Sequence, residues 1–303
     1  MVPLHTTFRA MASENELQLW AEDASQARAA AAAAIADVAR IEAKYSRYRD
    51  DSVTTCINRA AGGSAVAIDT ETLALLRYAD QCHTVSGGLF DLTSGVLRRV
   101  WDFSRASPRV PDLLSLAAAT ALVDWRKVEW DERAIRLPSA GMEIDFGGIG
   151  KEYAADRIAS ICTERGIEHG LANLGGDVRA VGFRPDGTKW RIGIRHPRIG
   201  GELIASLELA NAAVATSGDY QRFFEIDGRR YCHVLHPRTG MPAMHWQSVS
   251  VVAPLCVVAG SCATIAMLLE AEAESFLAAQ KIQYCAVAAN GSVCGNAVTA
   301  AHT

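Results

Sequence analysis

Four short segments of the chain have residue types and spacings suited to chemistry on an anionic ligand. The first reads Asp145-Phe146-Gly147-Gly148-Ile149-Gly150-Lys151, between an apolar stretch and an amphipathic one. Glycines at a strand-to-helix turn let backbone N–H groups approach an anion, and the helix N-terminus adds a favourable dipole. Lys151 in the first helical turn would then reach a phosphate oxygen. Walker A spacing would require Gly where Asp145 stands, and Tyr153 takes the place of the third Rossmann glycine. A tight turn with an exposed lysine accounts for the same residues, and both readings stay open.

The second segment, Asn173-Leu174-Gly175-Gly176-Asp177, suits either a close backbone approach to a ligand or a hairpin turn. The third, Thr216-Ser217-Gly218-Asp219-Tyr220, gathers hydroxyls around a glycine. The fourth runs Tyr231-Cys232-His233-Val234-Leu235-His236-Pro237-Arg238-Thr239-Gly240. Imidazole titrates near neutrality, so either histidine could act as a general base. On a strand, His233 and His236 would face opposite sides and need not share a site.

The elements that must hold these segments follow from patterning. ENELQLW at 14–20 alternates polar and apolar residues and predicts a strand. The Ala-rich run from Asp23 to Ser46 predicts a helix, since Ala costs no side-chain entropy there. A second helix is expected after Asp69 or Thr70 up to Gly87-Gly88, and a third over 112–122. KVEWDERAIRLPSAGMEIDF reads as short strands, the last being MEIDF before the glycine turn; KEYAADRIASICTER then forms a helix closed by Gly166. LANL, WRIGIRH, IASLEL, AVATS, RYCHVL and SVSVVAP are strand candidates. AGSCATIAMLLEAEAESFLAAQ predicts one helix, and YCAVAA a last strand. The pattern predicts an α+β fold in a single domain, with mixed or antiparallel sheets flanked by helices. Its helix-rich part is about 1–140 and its strand-rich part about 141–303, with a soft boundary.

Of 303 residues half are apolar, enough for a sizeable core, and the net charge of −4 argues against a nucleic-acid footprint. No run approaches the ~18 consecutive apolar residues of a membrane helix. The eight cysteines are scattered without a C-x-x-C pair, which suits free thiols in a reducing compartment. MVPLHTTFRAMASENELQLW has no basic segment followed by an apolar one, nor an anchoring Cys, so the expected location is cytoplasmic.

In their order along the chain these segments resemble the flavin transferase family often called ApbE, the FAD:protein FMN transferases. The likeness rests on FRAMAS at 8–13, YSRYRDDS at 45–52 with Ile57-Asn58, and GGLFDLTSGVLRRVWDF at 87–103. It continues through IDFGGIGKEYAADRIA at 144–159, LANLGGDV at 171–178 and AVATSGDYQRFFEIDGRRYCHVLHPRTG at 213–240, then SVSVVAP and AGSCAT up to Thr264. The resemblance implies a two-part fold with a flavin cleft between the parts. It implies cleavage of the FAD pyrophosphate, transfer of FMN to a Thr or Ser of an acceptor protein carrying a flavinylation motif, and release of AMP, with Mg²⁺ assisting.

Carried over to matching positions, Met11, Tyr48, Leu89, Phe90 and Asp91 would contact the isoalloxazine and adenosine. Asp145 would take a polar group of FAD, and Lys151 a further cofactor contact. Asn173, Gly175 and Gly176 would form a glycine-rich wall, with the Val234-Leu235 backbone against the cofactor. His233 would activate the acceptor hydroxyl. The Gly148 carbonyl and Thr264 would face the metal.

Two positions depart from the family pattern: His236 stands where an Asp is usual after the catalytic His, and Gly260 where the metal-binding Asp is usual. Mg²⁺ prefers oxygen ligands that include one or two carboxylates, so the loss at 260 predicts a weakened site. It also admits two other outcomes, an FAD pyrophosphatase using water, or a flavin-binding protein without chemistry. Gly260→Asp is expected to tighten Mg²⁺ binding if the site geometry is otherwise preserved.

Overall fold

The computed structural model describes residues 1–103, 108–297 and 299–300. Its spine is an antiparallel sheet that begins with the alternating segment read from sequence. Strand β2 (Ser13–Ala21) buries Leu17, Leu19 and Ala21 on one face and pairs with β1 (Val2–Ala10), which the sequence reading did not assign. Between them Met11 and Ala12 form a two-residue turn with φ of 52° and 58°, the left-handed pair that matches hairpin twist.

Helix α1 (Ala24–Tyr45) starts where expected: the Asp23 carboxylate accepts from the N–H groups of Ser25 and Gln26. Its buried stripe of Ala27, Ala30, Ala31, Ala34, Val38 and Ile41 has helical spacing. Then come α2 (Val53–Arg59), β3 (Val66–Ala67), α3 (Thr70–Val85), a 3₁₀ segment Leu92–Arg99, α4 (Leu113–Thr120), β4 (Glu129–Trp130) and β5 (Ala134–Arg136). Helix α5 (Gly150–Glu164) is followed by Gly166 at φ 77°, the expected C′ glycine. The rest is β6 (His169–Leu174), β7 (Asp177–Val181), β8 (Trp190–Arg195), β9 (Leu203–Leu209), β10 (Ala213–Gly218), β11 (Phe223–Ile226), β12 (Arg229–Cys232), β13 (Trp246–Ala253), α6 (Cys256–Leu269), α7 (Ala273–Ala279), β14 (Gln283–Ala288), β15 (Val293–Gly295) and β16 (Thr299–Ala300).

The main sheet has the order β1-β2-β6-β7-β10-β13-β14-β15, so it draws strands from both sides of residue 140. Helices α1, α5 and α6 pack side by side on one face. The sheet β16-β9-β8 covers part of the other face around Trp190, Ile194, Leu207 and Val214. Central strand β7 is therefore buried along its whole length. A third small core joins Leu97, Trp101 and Leu116 to Phe224 and Tyr231 of the β11–β12 hairpin.

Four expectations need correction. MEIDF is not a sheet strand: Asn58 pairs with the backbone of Ile144 at both N–H (2.7 Å) and C=O (3.0 Å), standing in for a neighbouring strand. The C-terminal helix is two helices, because Glu270 takes φ 51° and its carbonyl accepts from the Trp246 indole at 2.7 Å. YCAVAA is not the last strand; an Asn290-Gly291 turn returns the chain as β15. RYCHVL is also a strand only as far as Cys232, with His233 at its end still bonded across the hairpin. The segment Cys256–Ala279 is long and apolar enough to cross a membrane by length and composition, but 61% of its most apolar window is buried in the fold.

Candidate active site

Every residue that the resemblance named as a contact lines one cleft of about 790 Å³. Its base is the N-terminus of α5, where Ile149 offers no side-chain cap and the backbone donors are left for a ligand. Met11, held in the β1–β2 turn by an N–H···Glu42 bond of 2.8 Å, forms one lip. Tyr48, 80% exposed, stands at the rim with a free aromatic face. Leu89, Phe90, Val234 and Leu235 are buried and present apolar wall. The ring of Phe90 lies 3.3 Å from where a Cβ on Gly148 would be, so glycine lets that backbone meet the wall without displacing the ring.

Three polar contacts have side chains already engaged. Asp91 accepts from Thr93 N–H (2.7 Å) and Trp125 N–H (3.0 Å), fixing the loop that carries Phe90. Asp145 accepts from Gly147 N–H at 2.8 Å and pairs with Arg47 at 3.1 Å. Asn173 accepts from Gly176 N–H at 2.9 Å, which closes the β6–β7 turn with Gly175 at φ 58° and Gly176 at φ 102°. These groups shape the walls of the cleft.

His233 follows β12 with its backbone N–H donating to the Arg222 carbonyl at 3.0 Å. Its Nδ1 is buried and has no hydrogen-bond partner. Burial, then the positive charges of Arg98 and Arg222, pull its pKa down to about 3, so the imidazole is neutral with a free lone pair. His236 lies outside the cleft lining; its Nδ1 accepts from Arg238 N–H at 3.2 Å and orders the next turn, a role any short side-chain acceptor fills.

The far corner holds oxygen donors. Asp177 pairs with Lys151 at 2.6 Å and accepts from Thr216 N–H at 3.2 Å. Ser217 and Thr264 hydroxyls are 2.8 Å apart. Between α5 and α6 lies Glu152, 8% exposed, whose Oε2 has no partner. Burial and the adjacent Asp177 carboxylate raise its pKa, only partly opposed by Lys151. Burial would lower the Lys151 pKa, but Asp177 and Glu152 more than offset it, so the ammonium is firmly held.

Residues 8–287 match the model of the ApbE family. The chain belongs to the ApbE family. Among its relatives, the FAD:protein FMN transferase of Treponema pallidum is 34% identical over 75% of this chain and 68% of its own length. That of Klebsiella pneumoniae is 35% identical over 68% of this chain and 64% of its own. Two solved structures superpose closely: the ApbE protein of Thermotoga maritima (TM-score 0.89, 29% identity, 97% of each chain) and the flavinyl transferase ApbE of Pseudomonas stutzeri in its apo form (TM-score 0.87, 27% identity, 97% of this chain and 95% of that one).

In this ApbE-family chain the sequence reading missed much of the cleft's charge. Arg98 and Arg222 face His233, and among the described residues neither has a carboxylate within ion-pair distance. Both sit inside quoted blocks, but with five lysines and 25 arginines no arginine stood out. Glu152 and Ser217 likewise carry no sequence signal that sets them apart. Among the described residues no three His, Cys, Asp or Glu side chains form a metal-holding group. The corner instead offers carboxylates, hydroxyls and one orphaned carboxylate oxygen, a set that fits a hard divalent cation sharing its shell with phosphate.

Proposed function

We propose that this cleft is where the chain performs its activity as an FAD:protein FMN transferase, with His233 as the general base. One observation carries the reading: a neutral, buried imidazole with an unpartnered Nδ1 set beside unpaired Arg98 and Arg222 in a cleft large enough for a dinucleotide. The apolar wall and Tyr48 would take the flavin and adenine rings. The α5 N-terminus, Lys151 and the two arginines would take the diphosphate. A Thr or Ser hydroxyl of the acceptor attacks the phosphorus of the FMN half, and its proton passes to His233. The bond from that phosphorus to the bridging oxygen breaks, and AMP leaves with the bridging oxygen on its phosphate.

Burial, with the charges of the two arginines added, keeps His233 a weak base. A bound diphosphate cancels their charge, so the imidazole gains proton affinity when substrate is present. Thr264 and the Gly148 carbonyl would hold Mg²⁺, which when bound supplies charge neutralisation at the diphosphate.

The test is to incubate FAD, Mg²⁺ and an acceptor domain bearing the flavinylation motif with the protein and separate the products. Acceptor-bound FMN with equimolar AMP is expected. AMP without bound FMN would make the chain a pyrophosphatase, and intact FAD would make it a binder. His233→Ala should lower transfer by about 10²- to 10⁴-fold while FAD affinity stays within a few-fold; equal loss of both would remove His233 as the base.

A further inference from the structure

A buried carboxyl with an unpartnered oxygen keeps its proton unless a cation takes the proton's place. Glu152 is such a group: it lines the cleft, it is more than nine-tenths buried, and its Oε2 has no partner. Lys151, next in sequence, directs its ammonium to Asp177 at 2.6 Å and leaves that oxygen unanswered.

The location of Glu152 is set by Gly260 on the facing helix. A Cβ built at Gly260 would lie 2.6 Å from Glu152 Cγ and 2.9 Å from Oε1. The glutamate side chain therefore fills the volume that any side chain at 260 would need. Residue 260 lies one helical turn before Thr264, and i, i+4 residues share a helix face. Glu152 is thus brought alongside Thr264, whose hydroxyl is 2.8 Å from that of Ser217, with Asp177 on the neighbouring strand. One orphaned carboxylate, a second carboxylate and two hydroxyls, open to a cleft, form a donor set made wholly of oxygen.

We infer that Glu152, projected from α5 into the space left by Gly260 on α6, is the carboxylate ligand for a divalent cation in this chain. The carboxylate missing from position 260 has been supplied from the opposite helix. On this inference Gly260→Asp does not tighten the site, because the new side chain would have to displace Glu152. The inference rests on the proposed function only for the phosphate oxygens that would complete the shell; the protein donors stand without it.

The experiment titrates the full chain with Mn²⁺ by electron paramagnetic resonance and with Mg²⁺ by calorimetry, without FAD or acceptor. It compares wild type, Glu152→Gln, Gly260→Asp and the double variant Glu152→Gly/Gly260→Asp. Glu152→Gln should lose about 10-fold or more in affinity for both ions. Gly260→Asp alone should not bind more tightly, whereas the double variant should recover wild-type affinity within a few-fold. Wild-type affinity in Glu152→Gln would overturn the inference, as would tighter binding by Gly260→Asp alone.

Thermal unfolding gives an independent readout. Glu152→Gln should raise the metal-free Tm and abolish the upward shift caused by Mg²⁺. A lower Tm, equal with and without Mg²⁺, would mark a purely structural carboxylate and overturn the inference. Failure of the transferase reading would look different: intact ion binding by the wild type, with no FMN on the acceptor.

Discussion

Two glutamate clusters flank the same turn of α5 and behave in opposite ways. Tyr153 points to one side and donates to Glu71 at 2.8 Å. There Arg40 forks onto both carboxylate oxygens at 2.8 Å each and Lys44 adds a contact at 2.7 Å, tying α1, α3 and α5 together. Arg40 above all, with Lys44 and Tyr153 and against the effect of burial, holds Glu71 well below the usual carboxylate range. Glu152, one residue earlier, points to the other side, where its neighbours are a second carboxylate and a single lysine, and its pKa rises. A carboxylate answered by cations at every oxygen holds structure; one left short of a cation at the wall of a cleft is available to a ligand.

The sharpest way to break this contrast is to take away the Lys151 ammonium from the unsatisfied cluster. Lys151→Met should destabilise the metal-free protein by about 3 kcal/mol, because the buried Asp177 carboxylate loses its ion-pair partner. Urea unfolding with and without Mg²⁺ measures it, and Mg²⁺ should restore part of the loss. An effect under about 0.5 kcal/mol would mean the corner is wetter than its burial indicates.

Next in size is the pH dependence of the base corner. His233 has a folded pKa depressed from 6.5 to about 3, so between those values the unfolded chain binds the extra proton. Its contribution to stability is complete above 6.5 and lost as pH falls, by about 2 kcal/mol at pH 5. His233→Gln should flatten the fall in Tm over that window. FAD binding near pH 6 should also take up protons in the wild type, seen as a buffer-dependent calorimetric enthalpy, and not in the variant.

The satisfied cluster should respond more mildly. Glu71→Gln removes a carboxylate that is partly open to solvent, so screening keeps the cost to about 1 kcal/mol at neutral pH. Because the Glu71 pKa is depressed, its contribution is present above the ordinary glutamate value and lost as pH falls through its folded value. The variant should therefore show a smaller difference from wild type in acid than at pH 7, and Mg²⁺ should not alter that difference. Smallest of all, Ser217→Ala breaks the hydroxyl pair with Thr264 and should cost about 0.5 kcal/mol in thermal unfolding.

Local pattern was enough for much of the fold. The Ala stripe and Asp23 cap define α1, the alternation in β2 defines its faces, and Gly166 ends α5. Failures came where long-range partners override local signals. Asn58 occupies the backbone of Ile144 from 86 residues away and keeps MEIDF out of the sheet. Trp246 holds the Glu270 break in what reads as one helix.

For the site the division is similar. The ordered blocks carried enough information to gather Met11, Tyr48, Asp145, Lys151, Asn173, His233 and Thr264 around one cleft, because residue order along a shared fold fixes where backbone goes. The sequence by itself therefore determined the family, the strands and helices with strong periodicity, and the segments that meet at the cleft. Only the tertiary structure decided what charge each group carries and which oxygens stay unanswered. The His233 imidazole is neutral because folding buries it and sets Arg98 and Arg222 against it. The gap at Gly260 is filled because packing of α5 on α6 sets Glu152 against it. Proton affinity and side-chain volume are properties of the surroundings, and folding assembles those from residues that the linear sequence holds far apart.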